Sequence, residues 1–159
     1  MELWLLRHAK AEPYSDTHRD QDRALAPEGG LACQHLRRWL TKHIQTEAKP
    51  RTIRFSPATR TRQTIEQVTA GLALPAPQAL DALWAASPGD LVEIITDLSE
   101  SPAPIWLVGH NPGLADLIPW LASPLPAPGM KPGTLVRLHV ELPLQGGAGE
   151  IIEVVRPEF

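Results

Sequence analysis

The stretch Glu2-Leu3-Trp4-Leu5-Leu6-Arg7-His8-Ala9 decides the fold of this chain. Four apolar residues in a row precede an arginine and a histidine, and small and turn-forming residues follow. A short apolar run bounded by turn signals is typical of a strand covered on both faces, as in a parallel sheet. Such sheets bind ligands beyond the carboxyl ends of their strands, where Arg7 and His8 would lie. A guanidinium beside an imidazole indicates an oxyanion such as phosphate, with His8 placed to attack it.

Length and composition are those of one ordinary domain. The chain has 159 residues, 43% of them hydrophobic and 21% charged, which fits a single core and excludes a disordered polyelectrolyte. The net charge of −3 gives no global reason to expect nucleic acid or an acidic membrane surface as a partner. The single cysteine, Cys33, excludes an internal disulfide and a multi-cysteine metal cluster. The N-terminal apolar run is too short for a signal peptide, and no run approaches the roughly 20 residues of a spanning helix, so we expect a cytoplasmic protein.

Strand and helix patterns alternate four times along the chain and then give way to a hairpin. Apolar runs predict further strands at residues 52–55, 78–83 and 104–109. Two alternating segments, 134–142 and 151–155, predict an antiparallel hairpin at the sheet edge. This order indicates an α/β fold, a three-layer sandwich whose central sheet is mostly parallel.

Apolar residues three to four positions apart predict the helices between these strands. The four helices are expected to begin near Pro27, Arg60, Pro88 and Leu114. Ser56 or Thr59 is expected to cap the second helix, and Ser87 the third.

Three predicted strands end in polar residues. The first ends in Arg7 and His8, the second leads through Ser56 to Arg60, and the fourth ends in His110. Because parallel strands place their carboxyl ends on one rim, we expect two arginines and two histidines to converge there. Arg60 would lie in the first turn of a helix, where a cation is poorly placed unless an anion lies between it and the helix.

Phosphoryl transfer is the chemistry that suits this set. Two guanidiniums can hold the equatorial oxygens of the phosphoryl group, and a protonated His110 adds a donor. His8, neutral at its attacking nitrogen, is the predicted nucleophile, and its other ring nitrogen needs an acceptor that fixes the tautomer. Water would then attack the phosphorylated His8.

Two other readings of these residues are weaker. A metal bound by His8 and His110 would face two adjacent cations and would have no obvious carboxylate as third ligand. We therefore expect no metal and no cofactor. A nucleic-acid site would rest on four arginines with no aromatic platform for stacking, so nucleic acid is not an expected partner.

Four short segments carry motifs of one known family. They are Leu-Leu-Arg-His-Ala-Lys-Ala at 5–11, Ser-Pro-Ala-Thr-Arg-Thr-Arg-Gln-Thr at 56–64, Val-Gly-His-Asn at 108–111, and Asp-Gln-Asp-Arg-Ala-Leu at 20–25 followed by Gly29. Together they resemble the signatures of the histidine phosphatase (phosphoglycerate mutase-like) superfamily, and the last segment resembles its short SixA-type phosphohistidine phosphatases. The first segment departs from the family in having Ala9 where the signature has glycine. The second segment selects Arg60 over Arg62.

The resemblance implies a fold, an activity and a set of site residues. It implies one phosphoglycerate mutase-like histidine-phosphatase domain over residues 1–159, and metal-independent hydrolysis through a phosphohistidine at His8. It also implies that Arg7, Arg60 and His110 bind the phosphate. Arg23, in the SixA-like segment, is a further candidate phosphate contact.

The general acid of the superfamily lies in an insertion that this chain almost lacks, since only residues 70–88 occupy that region. Asp81 is the nearest carboxylate and the candidate acid, whereas Asp90 fits a solvated acid in the first turn of a helix. Trp84, close by, could line the mouth of the pocket or belong to the core.

The small number of candidate general acids affects which class of substrate we expect. An alcohol leaving group needs a proton on its oxygen, whereas an imidazole already protonated on its far nitrogen does not need the same help. A site with no lid would also admit a side chain of another protein. We therefore expect a phosphohistidine phosphatase acting on a phosphorylated protein. The alternatives are a broad-specificity phosphomonoesterase for small phosphorylated substrates and a non-catalytic phosphate- or phosphoprotein-binding module.

Overall fold

A six-stranded mixed sheet forms the centre of the computed structural model, which describes residues 1–44, 49–100 and 103–158. The strands are β1 Glu2–Arg7, β2 Thr52–Phe55, β3 Gln78–Ala79, β4 Ile105–Gly109, β5 Leu135–Val140 and β6 Gly149–Val155. Their order across the sheet is β3-β2-β4-β1-β5-β6. The first four in that order are parallel, whereas β5 is antiparallel to β1 and β6 is antiparallel to β5. The predicted mostly parallel sheet with an antiparallel hairpin at its edge is confirmed.

Within the described ranges, four α-helices cover the two faces of the sheet. They are α1 Pro27–His43, α2 Thr59–Thr69, α3 Pro88–Leu98 and α4 Gly113–Leu121, and two short 3₁₀ helices lie at Asp20–Asp22 and Asp81–Leu83. Among the described residues, no helix has the length and apolar character needed to cross a membrane.

The alternation of side chains along β1 divides the core between these helices. Leu3 and Leu5 pack in the cluster that contains α3 and α4, whereas Trp4 and Leu6 pack in the cluster that contains α1 and α2. All four side chains are at most 1% exposed. Because successive strand residues point to opposite faces, an unbroken apolar run requires a covering layer on each side. The result is the three-layer sandwich.

The predicted cap of α3 is confirmed and that of α2 is wrong. Ser87 Oγ accepts from the Asp90 amide at 3.1 Å, and the Asp90 carboxylate accepts from the Ser87 amide at 2.9 Å. This capping box employs Asp90 as an exposed first-turn acid. The N-cap residue of α2 is Ala58, and no side chain caps that helix. Ser56 hydrogen-bonds instead to a histidine of the site described below.

The third strand is shorter than the sequence pattern predicts. Only Gln78 and Ala79 pair with β2, opposite Arg54 and Phe55. The Leu80 amide makes one more bond, to the Phe55 carbonyl at 2.9 Å. Because β2 ends at Phe55, the residues after Leu80 have no neighbouring strand with which to pair. Residues 81–83 form a 3₁₀ helix instead.

Candidate active site

A cavity of about 800 Å³ lies beyond the carboxyl ends of β1, β2 and β4. It is lined by five of the six residues predicted for the site, namely Arg7, His8, Arg23, Arg60 and His110. The parallel pairing of β1 and β2 with β4 aligns these strand ends, so residues far apart in sequence meet at one place. The expected convergence of two arginines and two histidines is present in the structure.

The ring of His8 is held in one orientation by the backbone. Its Nδ1 lies 2.8 Å from the Ala9 carbonyl oxygen, and because a carbonyl only accepts, Nδ1 carries the hydrogen. The acceptor expected for the second ring nitrogen of His8 is thus the carbonyl of the next residue. The pKa of His8 is lowered to about 4, mainly by burial; the Ala9 hydrogen bond opposes this shift, and the charges of Arg60 and Arg7 contribute to it. At neutral pH the ring is therefore uncharged, with its lone pair on Nε2.

His110 faces His8 and has a different partner. The two ring centroids lie 5.2 Å apart with the rings inclined at 58°. His110 Nε2 lies 2.8 Å from the hydroxyl of Ser56, which is fully buried. Burial is the main cause that lowers the pKa of His110 to about 3, followed by the charges of His8 and Arg60. A bound oxyanion would offset the positive charges that lower this pKa, and so would favour the protonated form of His110, which can donate a hydrogen bond.

Each of the two arginines has a buried hydrogen-bond donor without a partner. Among the described residues, Nε of Arg7 and Nε of Arg60 have no acceptor. Arg7 Nη1 donates to the Met130 carbonyl at 3.0 Å. Arg60, 5% exposed, lies at the cavity, whereas Arg62 is exposed, as its place on the helix predicts. Both guanidiniums line the cavity, where their remaining N–H groups can donate to an acceptor-rich guest.

Asp20 is the carboxylate whose role the sequence did not reveal. Its Oδ2 accepts from Arg60 Nη2 at 3.1 Å, and its Oδ1 accepts from Arg23 Nε at 2.8 Å. The Asp20 carbonyl also accepts from Arg60 Nη1 at 2.8 Å. Partial burial raises the pKa of Asp20, but the hydrogen bond from Arg23 and the charge of Arg60 outweigh it, so the net shift is downward. The Asp20 carboxylate is therefore ionised and bridges the guanidiniums of Arg23 and Arg60. The available signal was its spacing of three residues from Arg23.

Asp81 and Trp84 differ in their relation to the cavity. Asp81 is exposed in its 3₁₀ helix and is not among the residues that line the cavity. Trp84 does line it, with its ring edge-on to His110 at a centroid distance of 5.2 Å and 5.5 Å from the Arg60 guanidinium carbon. Of the two positions that the sequence left open for Trp84, the structure has the one at the cavity mouth.

The described residues contain no cluster of three His, Cys, Asp or Glu side chains that could hold a metal ion. Positive charge at the cavity comes from the guanidiniums of Arg7, Arg23 and Arg60 and the ammonium of Lys10.

Comparison with solved structures finds the same fold over the whole chain. The protein histidine phosphatase SixA, solved as a complex with tungstate, has a TM-score of 0.81 at 21% identity, covering 99% of this chain and 97% of that one. A mycobacterial glucosyl-3-phosphoglycerate phosphatase has a TM-score of 0.70 at 15% identity, covering 99% of both chains. YhfR from Bacillus stearothermophilus has a TM-score of 0.70 at 16% identity, covering 95% of both.

Comparisons at the sequence level find nothing similar: no protein-family model and no curated protein matches the chain. The fold predicted from the four motifs is nevertheless confirmed by the structural neighbours, which include SixA phosphohistidine phosphatases. The chain has the phosphoglycerate mutase-like fold of the histidine phosphatases.

Proposed function

We propose that this protein is a phosphatase that hydrolyses phosphohistidine in protein substrates through a phosphorylated His8. The observation that carries the proposal is the state of His8, whose Nδ1 is bound to Ala9 while the ring stays neutral in a cavity that Arg7 and Arg60 also line. The tungstate complex of the structurally similar SixA is consistent with an oxyanion site in this fold.

In the first step the Nε2 lone pair of His8 attacks phosphorus, and the bond from phosphorus to the substrate nitrogen breaks. The electron pair returns to the substrate ring, which leaves as neutral imidazole if its other nitrogen is protonated. His8 becomes a phosphorylated imidazolium, and the Ala9 carbonyl keeps accepting from its Nδ1. Arg7 and Arg60 hold the equatorial oxygens, and His110 adds a donor as negative charge develops.

In the second step water attacks the phosphorylated His8. The phosphorus–Nε2 bond breaks, its electron pair returns to His8, and the proton of the water leaves with inorganic phosphate or goes to solvent. The ring is again neutral with its hydrogen on Nδ1, ready for another cycle. Atoms and charge balance without a further reactant.

The carboxylates at the cavity favour phosphohistidine over phosphate esters. Among the described residues that line the cavity, Asp20 has the only carboxylate, and its lowered pKa keeps it ionised. Asp81 stays a predicted acid whose exposed position gives it no contact with the cavity. An alcohol leaving group needs a proton donor that neither residue readily supplies, whereas neutral imidazole does not.

Trapping the intermediate tests the mechanism. After brief reaction with a protein carrying radiolabelled phosphohistidine, we expect acid-labile label on the wild type and none on His8→Ala, with turnover abolished in that variant. His139→Ala, an exposed histidine on β5, is the matched control and should behave as wild type. Unchanged turnover in His8→Ala would refute the nucleophile, and phosphate binding without turnover in the wild type would indicate a binding module.

The substrate class is tested separately, by comparing kcat/KM for a phosphohistidine protein with kcat/KM for several sugar phosphates. We expect the phosphohistidine protein to be the better substrate. Higher efficiency on the sugar phosphates would favour the monoesterase alternative and would leave the His8 mechanism in place. The proposal takes residues 1–159 as one domain, since the strands from β1 to β6 form one sheet, and the cytoplasmic location stays a prediction.

A further inference from the structure

A second depression adjoins the catalytic cavity. It has a volume of about 440 Å³ and shares Lys10 and Pro132 with the lining of the cavity. We name it the Lys131 groove, defined by its charged residues Lys10, Glu28, Lys131 and Arg156 and by three prolines. A chain segment attached to a residue in the catalytic cavity could continue directly into this groove.

The charge of the Lys131 groove is opposite to that of the whole chain. Three cations and one carboxylate line it, whereas the chain carries a net charge of −3. Lys10 and Glu28 form an ion pair at 2.9 Å, which leaves the charges of Lys131 and Arg156 uncompensated. Lys131 is exposed and has no ionic partner among the described residues. Local positive charge on a negative protein favours a negatively charged partner at this place.

Prolines and hydrogen bonds constrain the walls of the groove and connect them to Arg7. Pro128, Pro132 and Pro157 line it. Arg156 donates to the carbonyls of Gly129 at 3.1 Å and Pro126 at 2.9 Å, which fastens the loop that bears Lys131. In the same loop the Met130 carbonyl accepts from Arg7. A site held in place before binding loses little entropy when a ligand arrives.

We infer that the Lys131 groove binds an acidic stretch of polypeptide that flanks the phosphorylated histidine of a protein substrate. The inference rests on the proposed function and adds to it a preference for sequence around the target residue. Acidic side chains would pair with Lys131 and Arg156, while apolar parts of the segment would pack on the prolines. Screening by salt weakens such exposed charge contacts, so the preference should fall as ionic strength rises.

The test compares two synthetic peptides that carry phosphohistidine, one flanked by glutamates and one by glutamines. We expect the wild type to prefer the acidic peptide in kcat/KM, and Lys131→Glu to reduce that preference about fivefold. The control Lys42→Glu makes the same charge change near the C-terminal end of α1, whereas the groove is lined by residues near the start of that helix. Lys42 lies about 22 Å along the helix axis from Pro27, so this change should leave the preference as in wild type. Lys131→Gln should have an intermediate effect.

Two results would overturn the inference. One is equal kcat/KM for the two peptides in the wild type, and the other is an equal effect of Lys131→Glu and Lys42→Glu. If no phosphohistidine peptide is hydrolysed, the proposed function fails. Peptide binding then tests separately whether the Lys131 groove recognises acidic segments. His8→Ala would then be titrated with the unphosphorylated acidic and neutral peptides. Tighter binding of the acidic peptide that Lys131→Glu removes supports the groove, and equal binding refutes it.

Discussion

Asp20 occupies the arginine donors that a phosphate would also use. Its carboxylate lies 3.1 Å from Arg60 Nη2 and 2.8 Å from Arg23 Nε. It therefore has two opposed effects, since it holds the guanidiniums in place and also competes with a bound anion for their charge. Because Asp20 is more than half exposed, solvent screens both effects.

Replacing Asp20 by asparagine measures which effect dominates. We expect Asp20→Asn to lower the inhibition constant of inorganic phosphate about threefold, because a competing negative charge is removed while the side-chain shape is kept. Competitive inhibition assays at constant ionic strength provide the measurement. Asp97→Asn, an exposed change in α3, is the control. Weaker phosphate inhibition in Asp20→Asn would show that holding Arg60 in place matters more.

The residues that sequence could identify are those whose role follows from position in the chain. Arg7 is the last residue of β1, and His8 and His110 directly follow β1 and β4, so the topology alone brings them to one rim. The roles of Ser56 and Asp20 could not be inferred, because they depend on partners 54 and 40 positions away in sequence. Hydrogen-bond partners of that kind are set by the packed structure and leave no local pattern.

At the level of elements, α1 begins in close contact with the chain that follows β1. A Cβ atom on Gly29 would lie 2.2 Å from the Lys10 carbonyl oxygen, whereas the nearest atom to a Cβ on Gly30 would be Gln67 Oε1 at 3.8 Å. Gly29 thus lets the first turn of the helix approach the backbone beside the site. Gly30 has no such constraint.

These two neighbouring glycines predict opposite effects on stability. We expect Gly29→Ala to lower the free energy of unfolding by about 2 kcal/mol, because the helix must shift away from Lys10. Gly30→Ala should raise it by about 0.5–1 kcal/mol, since alanine is the better residue inside a helix. Urea denaturation of the two variants and wild type gives both values. Equal effects of the two changes would contradict the packing seen at Gly29.

Element boundaries were predictable where local chemistry sets them. The capping box at Ser87 starts α3 at the predicted residue. The strand predicted over 78–83 was too long, because its length is set by where β2 ends and not by its own side chains. A period-2 pattern indicates that a segment can form a strand, but the partner decides how much of it does.

For the whole molecule, the fold was predictable because the apolar run of β1 demands cover on both faces. The two clusters on either side of the sheet satisfy that demand. The loops that complete the site were predictable only in part: Arg23 and Trp84 were candidates from the sequence, whereas residues 128–133 were not. Residues 20–23, Trp84 and residues 128–133 owe their places to contacts across the cavity and carry no periodic signal of their own.

Folding stability should depend on pH through the two site histidines. Their pKa values of about 4 and about 3 lie below the ordinary value of 6.5. Between these values the unfolded chain binds protons that the folded protein does not, so stability is full above pH 6.5 and falls as the pH drops. We expect the melting temperature of the wild type to fall more steeply from pH 6.5 to 4 than that of His8→Asn.

His110→Asn should show the same reduced slope in thermal melts followed by circular dichroism, and the exposed His139→Asn should match the wild type. Parallel pH profiles for all four proteins would mean that the site histidines are already protonated in the folded state at mildly acid pH. That result would also remove the basis for a neutral nucleophile at neutral pH.

The position of β1 in the sheet has a consequence for the timing of folding during synthesis. β1 is made well before its two neighbours in the sheet, β4 and β5, which begin about 100 and about 130 residues later. Contacts this distant in sequence slow folding, because a long loop must close before they form. On the ribosome His8 therefore emerges well before the strands beside β1 and stays without a complete pocket until Val140 is out.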